Sequence, residues 1–86
     1  MTQQVLTVYW RPGCGYCDRL LRVLRAEGIS VELHNIWEDP AAREFVQAHN
    51  NGNETVPTVV LGGSVRTNPD PRDLILELLR ADQSSN

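Results

Sequence analysis

The run Val5 to Trp10 is rich in β-branched and aromatic residues and reads as a strand. Arg11-Pro12-Gly13 ends it, and from Gly15 to Glu27 the apolar period becomes helical. Cys17, Leu20, Leu21 and Leu24 share one face of that helix, with Asp18, Arg19, Arg22 and Ala26 opposite. Gly28 stands where a helix C′ glycine belongs, and Ser30 to Ile36 reads as a second strand. Two strands joined through a helix must lie parallel, with a right-handed crossover. This one unit commits the chain to an α/β fold.

The remaining signals extend it. Asp39 followed by Pro40 is an N-cap ahead of a proline at the first helical position. That helix runs to about His49, with Ala41, Ala42, Phe45 and Val46 on its inner face. Asn50 to Glu54 is a polar loop around Gly52, and Pro57 to Leu61 is a third strand. Gly62-Gly63 is a tight hairpin turn leading into a short fourth strand, Ser64 to Arg66. Asp70-Pro71 with Asp73 opens a last helix that turns Leu74, Ile75, Leu78 and Leu79 inward. Ala81 to Asn86 is expected to be a polar, frayed tail. The order is β-α-β-α-β-β-α: a four-stranded mixed sheet with three helices, in one domain spanning residues 1–86.

Composition narrows the function. Hydrophobic residues make up 41% of the chain, enough for a packed core. The net charge is −3 without a block of like charge, so neither nucleic acid nor an acidic membrane surface is expected as a partner. No apolar run approaches the ~20 residues of a membrane span. Met1 to Trp10 carry no charge and show no signal-peptide pattern, so a cytoplasmic protein is expected. Two cysteines in such a compartment point to redox or metal chemistry and away from a structural disulfide.

Cys14-Gly15-Tyr16-Cys17 lies at the strand-to-helix junction. Cys14 would sit at the helix N-terminus, where unpaired N–H groups and the macrodipole favour a thiolate. Arg11 adds positive charge nearby. Cys17 falls one turn later on the apolar face, so it should be shielded and less ionised. A zinc site would need two further ligands, and only His34 and His49 offer themselves, one in a strand and one at a helix end. No metal site is expected. Two inert core cysteines are the other alternative, set aside because Cys14 at a helix start should not be buried.

Cys14-Gly15-Tyr16-Cys17 after a strand, Thr55-Val56-Pro57 before a strand, then Gly62-Gly63 and a terminal helix together resemble the glutaredoxins over nearly the whole chain. Cys-Gly-Tyr-Cys, Asn51 to Val59 and Thr67-Asn68-Pro69 most resemble the actinobacterial mycoredoxins, glutaredoxin-like proteins that work with mycothiol. Trp10-Arg11-Pro12-Gly13 departs from the mycoredoxin pattern and leaves the shape of the groove beside Cys14 open. The resemblance implies a thioredoxin-like fold and a thiol–disulfide oxidoreductase. It also implies a cis proline at Pro57 facing the cysteines, where the Val56 backbone offers N–H and C=O to an extended thiol ligand as an added strand would. The other reading of Val56-Pro57 is an ordinary turn.

Cys14 is then the expected nucleophile and Cys17 the resolving cysteine, with Arg11, Tyr16, Val56, Pro57, Thr67 and Asn68 as thiol-binding candidates. Tyr16 either stacks on a ligand or flanks the helix, and Trp10 and Trp37 either line a groove or pack structurally. Thr67 and Asn68 offer a hydroxyl and an amide to a sugar, or form only a turn before the last helix. No tightly bound cofactor is expected. A low-molecular-weight thiol, mycothiol by resemblance, serves as co-substrate. The expected partners are small-thiol mixed disulfides on oxidised proteins and a separate NADPH-dependent disulfide reductase, since no glycine-rich nucleotide loop is present. The protein is expected to be a monomer. Two rivals remain: a ribonucleotide-reductase-linked redoxin reduced by thioredoxin reductase, and an iron–sulfur cluster carrier using Cys14 and small thiols.

Overall fold

The computed structural model describes residues 6–84, with side chains described as far as Arg80. Its elements follow the expected order: β1 (Leu6–Trp10), α1 (Gly15–Ala26), β2 (Val31–Asn35), α2 (Pro40–His49), β3 (Thr58–Leu61), β4 (Ser64–Thr67) and α3 (Pro71–Ser84). The sheet order is β2-β1-β3-β4. β1 pairs parallel with β2 and antiparallel with β3, and β3 pairs antiparallel with β4. Leu61 pairs with Ser64, so Gly62-Gly63 is a two-residue loop. Of the two glycines only Gly62 has positive φ, 59°, as a type II′ hairpin turn requires at its first central residue.

Strand alternation assigns the two faces of the sheet. Leu6, Val8, Val59 and Leu61 point to one side and pack with Leu20, Leu21 and Leu24 of α1 and Leu74 of α3. A smaller cluster of Ile36, Ala42 and Val46, with Tyr9, Phe45 and Val56 against it, lies under α2 on the other side. The turn that carries Cys14 therefore hangs from a helix anchored in the larger core.

The structure differs from expectation at several places. Val5 lies outside the described residues. Ala41 is exposed, and it is Ala42 and Val46 that α2 buries. Leu79 is 55% exposed. At 3.6 residues per turn it stands ~140° around the helix from Leu74, beyond the stripe that also carries Ile75 and Leu78. Of the expected tail, Ala81 to Ser84 belong to α3, and residues 85 and 86 lie outside the described residues.

Candidate active site

Gly13, at φ 76°, turns the chain out of β1, and Cys14 becomes the N-cap of α1 in extended conformation. The Cys14 Sγ accepts the backbone N–H of Cys17 at 3.2 Å, in the place a serine or aspartate oxygen would take. On its other side the same thiol lies 3.8 Å from the Val56 carbonyl oxygen, towards which it donates. The Val56-Pro57 peptide bond is cis, as the resemblance implied. Residues 42 positions apart in sequence thus meet at one sulfur.

Cys14 is only 5% exposed, contrary to the expectation for a helix start. The Val56-Pro57 segment lies against the turn here, with the Val56 carbonyl on the sulfur. The buried sulfur sits between a backbone donor and a backbone acceptor. Cys17 is fully buried, on the apolar face of α1. Both cysteines are free thiols.

Their environments are unequal. Burial pushes the Cys17 thiol up from its ordinary 9.0 to about 12, helped by its hydrogen bond and charge interaction with Cys14. The Arg11 backbone N–H and its guanidinium act in the opposite direction. The Arg11 guanidinium lies 5.7 Å from the ring centroid of Trp37, which is 54% exposed.

The other candidates divide. Tyr16 and Asn68 both line a groove of ≈ 200 Å³, together with Arg19, Leu20, Pro69, Asp70 and Pro71. Asp70 is spent as expected: its Oδ1 accepts the Arg72 N–H at 2.8 Å and its carbonyl the Leu74 N–H at 3.1 Å. Thr67 does not line this groove. Its hydroxyl donates to Asn50 Oδ1 at 2.7 Å, on the α2 side of the sheet. Trp10 lies on the opposite flank of α1, in a recess with Leu21 and Leu33. His34 and His49 belong to an aromatic stack through Tyr9 and Phe45. Among the described residues no group of three or more His, Cys, Asp or Glu is placed to hold a metal ion, and no helix is long and apolar enough to cross a membrane.

Sequence reasoning missed Thr58, whose fully buried hydroxyl donates to the Thr55 carbonyl at 2.7 Å. It also missed the backbone at Asn68, whose N–H donates to the Pro57 carbonyl at 2.7 Å. A threonine directly after Pro57 was the available signal for the first. The second shows only once β3 and β4 are paired.

The glutaredoxin family profile matches residues 6–66, which contain both cysteines and the cis-proline segment. The chain belongs to the glutaredoxin family. Its members are thiol–disulfide oxidoreductases that use a small thiol as co-substrate, and this glutaredoxin is one of those enzymes. A Mycobacterium tuberculosis protein assigned to the glutaredoxins is 41% identical over 81 residues, covering 93% of this chain and 96% of the relative. Mycoredoxin 1 of Corynebacterium glutamicum is 35% identical over 74 residues, covering 85% and 91%. Among solved structures, the glutaredoxin-like NrdH-redoxin of Escherichia coli superposes with TM-score 0.74 at 28% identity, covering 86% of this chain and 93% of that one.

Proposed function

We propose that this glutaredoxin reduces mixed disulfides between proteins and a small thiol, with Cys14 as nucleophile, Cys17 as resolving cysteine and mycothiol as the thiol served. One observation carries the reading: the Cys14 sulfur is held between the Cys17 N–H, in the first turn of α1, and the Val56 carbonyl. The first interaction favours the anion that attacks. The second marks the backbone along which an extended thiol ligand can lie.

The exchange balances without a further reagent. Cys14 thiolate attacks the small-thiol sulfur of the mixed disulfide. A bond forms between Cys14 and the small thiol, and the protein thiolate leaves and takes up a proton. A second small-thiol anion then attacks the small-thiol sulfur of that adduct. It gives the symmetric small-thiol disulfide, returns Cys14 as thiolate, and leaves the disulfide for a separate NADPH-dependent reductase.

Cys17 supplies the other branch. Its sulfur can attack Cys14 in the adduct, releasing the small thiol and closing an intramolecular disulfide. With its thiol pushed up to about 12, Cys17 is protonated at neutral pH and this branch is slow. Two of the causes are interactions with Cys14 itself. A disulfide at Cys14 removes those two, while burial, the larger cause, stays.

The preference for mycothiol rests on the groove and on the kinship with mycoredoxin 1. A γ-glutamyl end needs a free acid for its ammonium and backbone N–H groups for its carboxylate. Here Asp70 Oδ1 is taken by the Arg72 N–H, and Pro69 has no N–H. Tyr16, Asn68 and Arg19 offer donors and acceptors that suit sugar hydroxyls. The specificity constant for the mycothiol mixed disulfide of one substrate should exceed that for its glutathione counterpart. Equal values, or a glutathione advantage, would remove mycothiol and leave the oxidoreductase.

The likeness to NrdH-redoxin, a protein described with a thioredoxin-like activity profile, favours a second reading. In it thioredoxin reductase reduces the Cys14–Cys17 disulfide directly. NADPH consumption by that reductase with this protein, and no small thiol present, would support it.

A further inference from the structure

We infer that Asn50, 36 positions from Cys14 and outside the groove, is a positioning residue that sets the aim of the Val56 backbone towards the reacting sulfur. The inference rests on the proposed use of that backbone to hold the thiol ligand. Asn50 is the C-cap of α2, and its side chain joins three elements. Its Nδ2 donates to the Val46 carbonyl at 2.7 Å, within α2, and to Thr58 Oγ1 at 3.3 Å, at the start of β3. Its Oδ1 accepts the Thr67 hydroxyl at 2.7 Å, from the end of β4.

The direction of this relay is fixed. A flipped amide would set Oδ1 against the Val46 carbonyl, acceptor against acceptor. With Nδ2 there, Thr58 Oγ1 accepts from Asn50 and spends its own proton on the Thr55 carbonyl. Thr67 spends its proton on Asn50. The next residue, Asn68, at φ 46°, donates its backbone N–H to the Pro57 carbonyl. So the carbonyl before Val56 is tied down by the Thr58 hydroxyl, and the carbonyl after it by the backbone N–H that follows Thr67. The carbonyl left between them is the one 3.8 Å from Cys14. Asn50 holds the end of β4 and the start of β3 at one spacing, and so holds both restraints.

The test is steady-state reduction of the mixed disulfide of mycothiol and 2-mercaptoethanol, alongside alkylation of Cys14 by iodoacetamide, which needs no bound thiol. Thr67→Val keeps the branched shape and removes one donor. It should raise KM about 3- to 10-fold, the range one lost hydrogen bond gives, with kcat and the alkylation rate unchanged. Asn50→Ala should raise KM further. Adding Thr67→Val to it should do nothing more, because Thr67 acts through Asn50. Thr67→Ser, which keeps the hydroxyl, should restore the wild-type KM. An unchanged KM in Thr67→Val, or a Thr67→Ser as impaired as Thr67→Val, would overturn the inference. So would alkylation slowed in parallel with turnover, which would place the effect on Cys14 itself. Wild-type protein that turns over neither mycothiol nor glutathione mixed disulfides would instead sink the functional reading, and this inference with it.

Discussion

The two sides of the Cys14 sulfur are built differently. On one side is the N-terminal turn of α1, where the sulfur's partner is the N–H of a residue three positions on. On the other is the Val56-Pro57 segment, held by residues from α2, β3 and β4. The first side is local and forms whenever α1 forms. The second exists only when the sheet is complete. In the proposed function, the attacking thiolate thus rests on the local region, while recognition of the thiol rests on tertiary restraints. Substitutions in the turn should change what reaction occurs. Substitutions around the segment should change how tightly, and which, thiols are held.

Cys14→Ser is the sharpest way to break that comparison, and the largest effect. Reduction of every disulfide should fall to the uncatalysed rate, because a serine hydroxyl cannot replace the thiolate. The fold should survive, since serine is a favoured N-cap and can accept the Cys17 N–H as the sulfur does. Thermal unfolding beside the activity assay checks both halves. Residual turnover of any mixed disulfide would move the nucleophile elsewhere.

Cys17→Ser should separate the two branches. Small-thiol mixed disulfides should still be reduced, because the second small thiol clears the Cys14 adduct. Reduction of protein disulfides, which needs intramolecular resolution, should be lost. The new hydroxyl is fully buried, but it has the Arg11 N–H as donor and Cys14 as acceptor, so the site stays satisfied. If Cys17→Ser is as inactive as Cys14→Ser on the mixed disulfide, the single-cysteine route is wrong.

The same contrast explains what the sequence disclosed. The α1 turn was legible because its signals are adjacent: a strand, a break at Arg11-Pro12-Gly13, two cysteines one turn apart and an apolar stripe. Asp39 and Asp70 were legible as caps for the same reason, each followed by a proline. The burial of Cys14 was not legible, because the segment against it arrives from residues 56 and 57. Thr67 read as a free hydroxyl because its partner, Asn50, looks like one more polar residue in a loop that also holds Asn51 and Asn53. Leu79 read as inward because leucine at helical spacing does not say where a buried stripe stops. Resemblance reached the cis proline, which no local signal gives.

The smallest effect sharpens the comparison from the side of stability. Cys17 belongs to both regions of chemistry and core, and its buried thiol is harder to ionise folded than unfolded. Below pH 9.0 it is protonated in both states and contributes no pH dependence. Above that value the unfolded chain loses its proton while the folded one keeps it. The reduced protein should therefore lose stability as pH rises from 9.0 towards about 12, at on the order of 1 kcal/mol per pH unit. Tyr9, raised above its ordinary 10.0 mainly by burial and then by Glu32 and Asp39, adds a loss of the same sign, but only from pH 10 upward. Between 9.0 and 10.0, before most of the Tyr9 loss sets in, the difference in slope between wild type and Cys17→Ser isolates Cys17. Denaturant titrations of reduced wild type and Cys17→Ser across that interval should show the slope in the first and a flatter response in the second. Equal slopes would mean that the Cys17 thiol ionises as easily in the folded protein as in the unfolded chain, and the slow-resolution argument would fall with it.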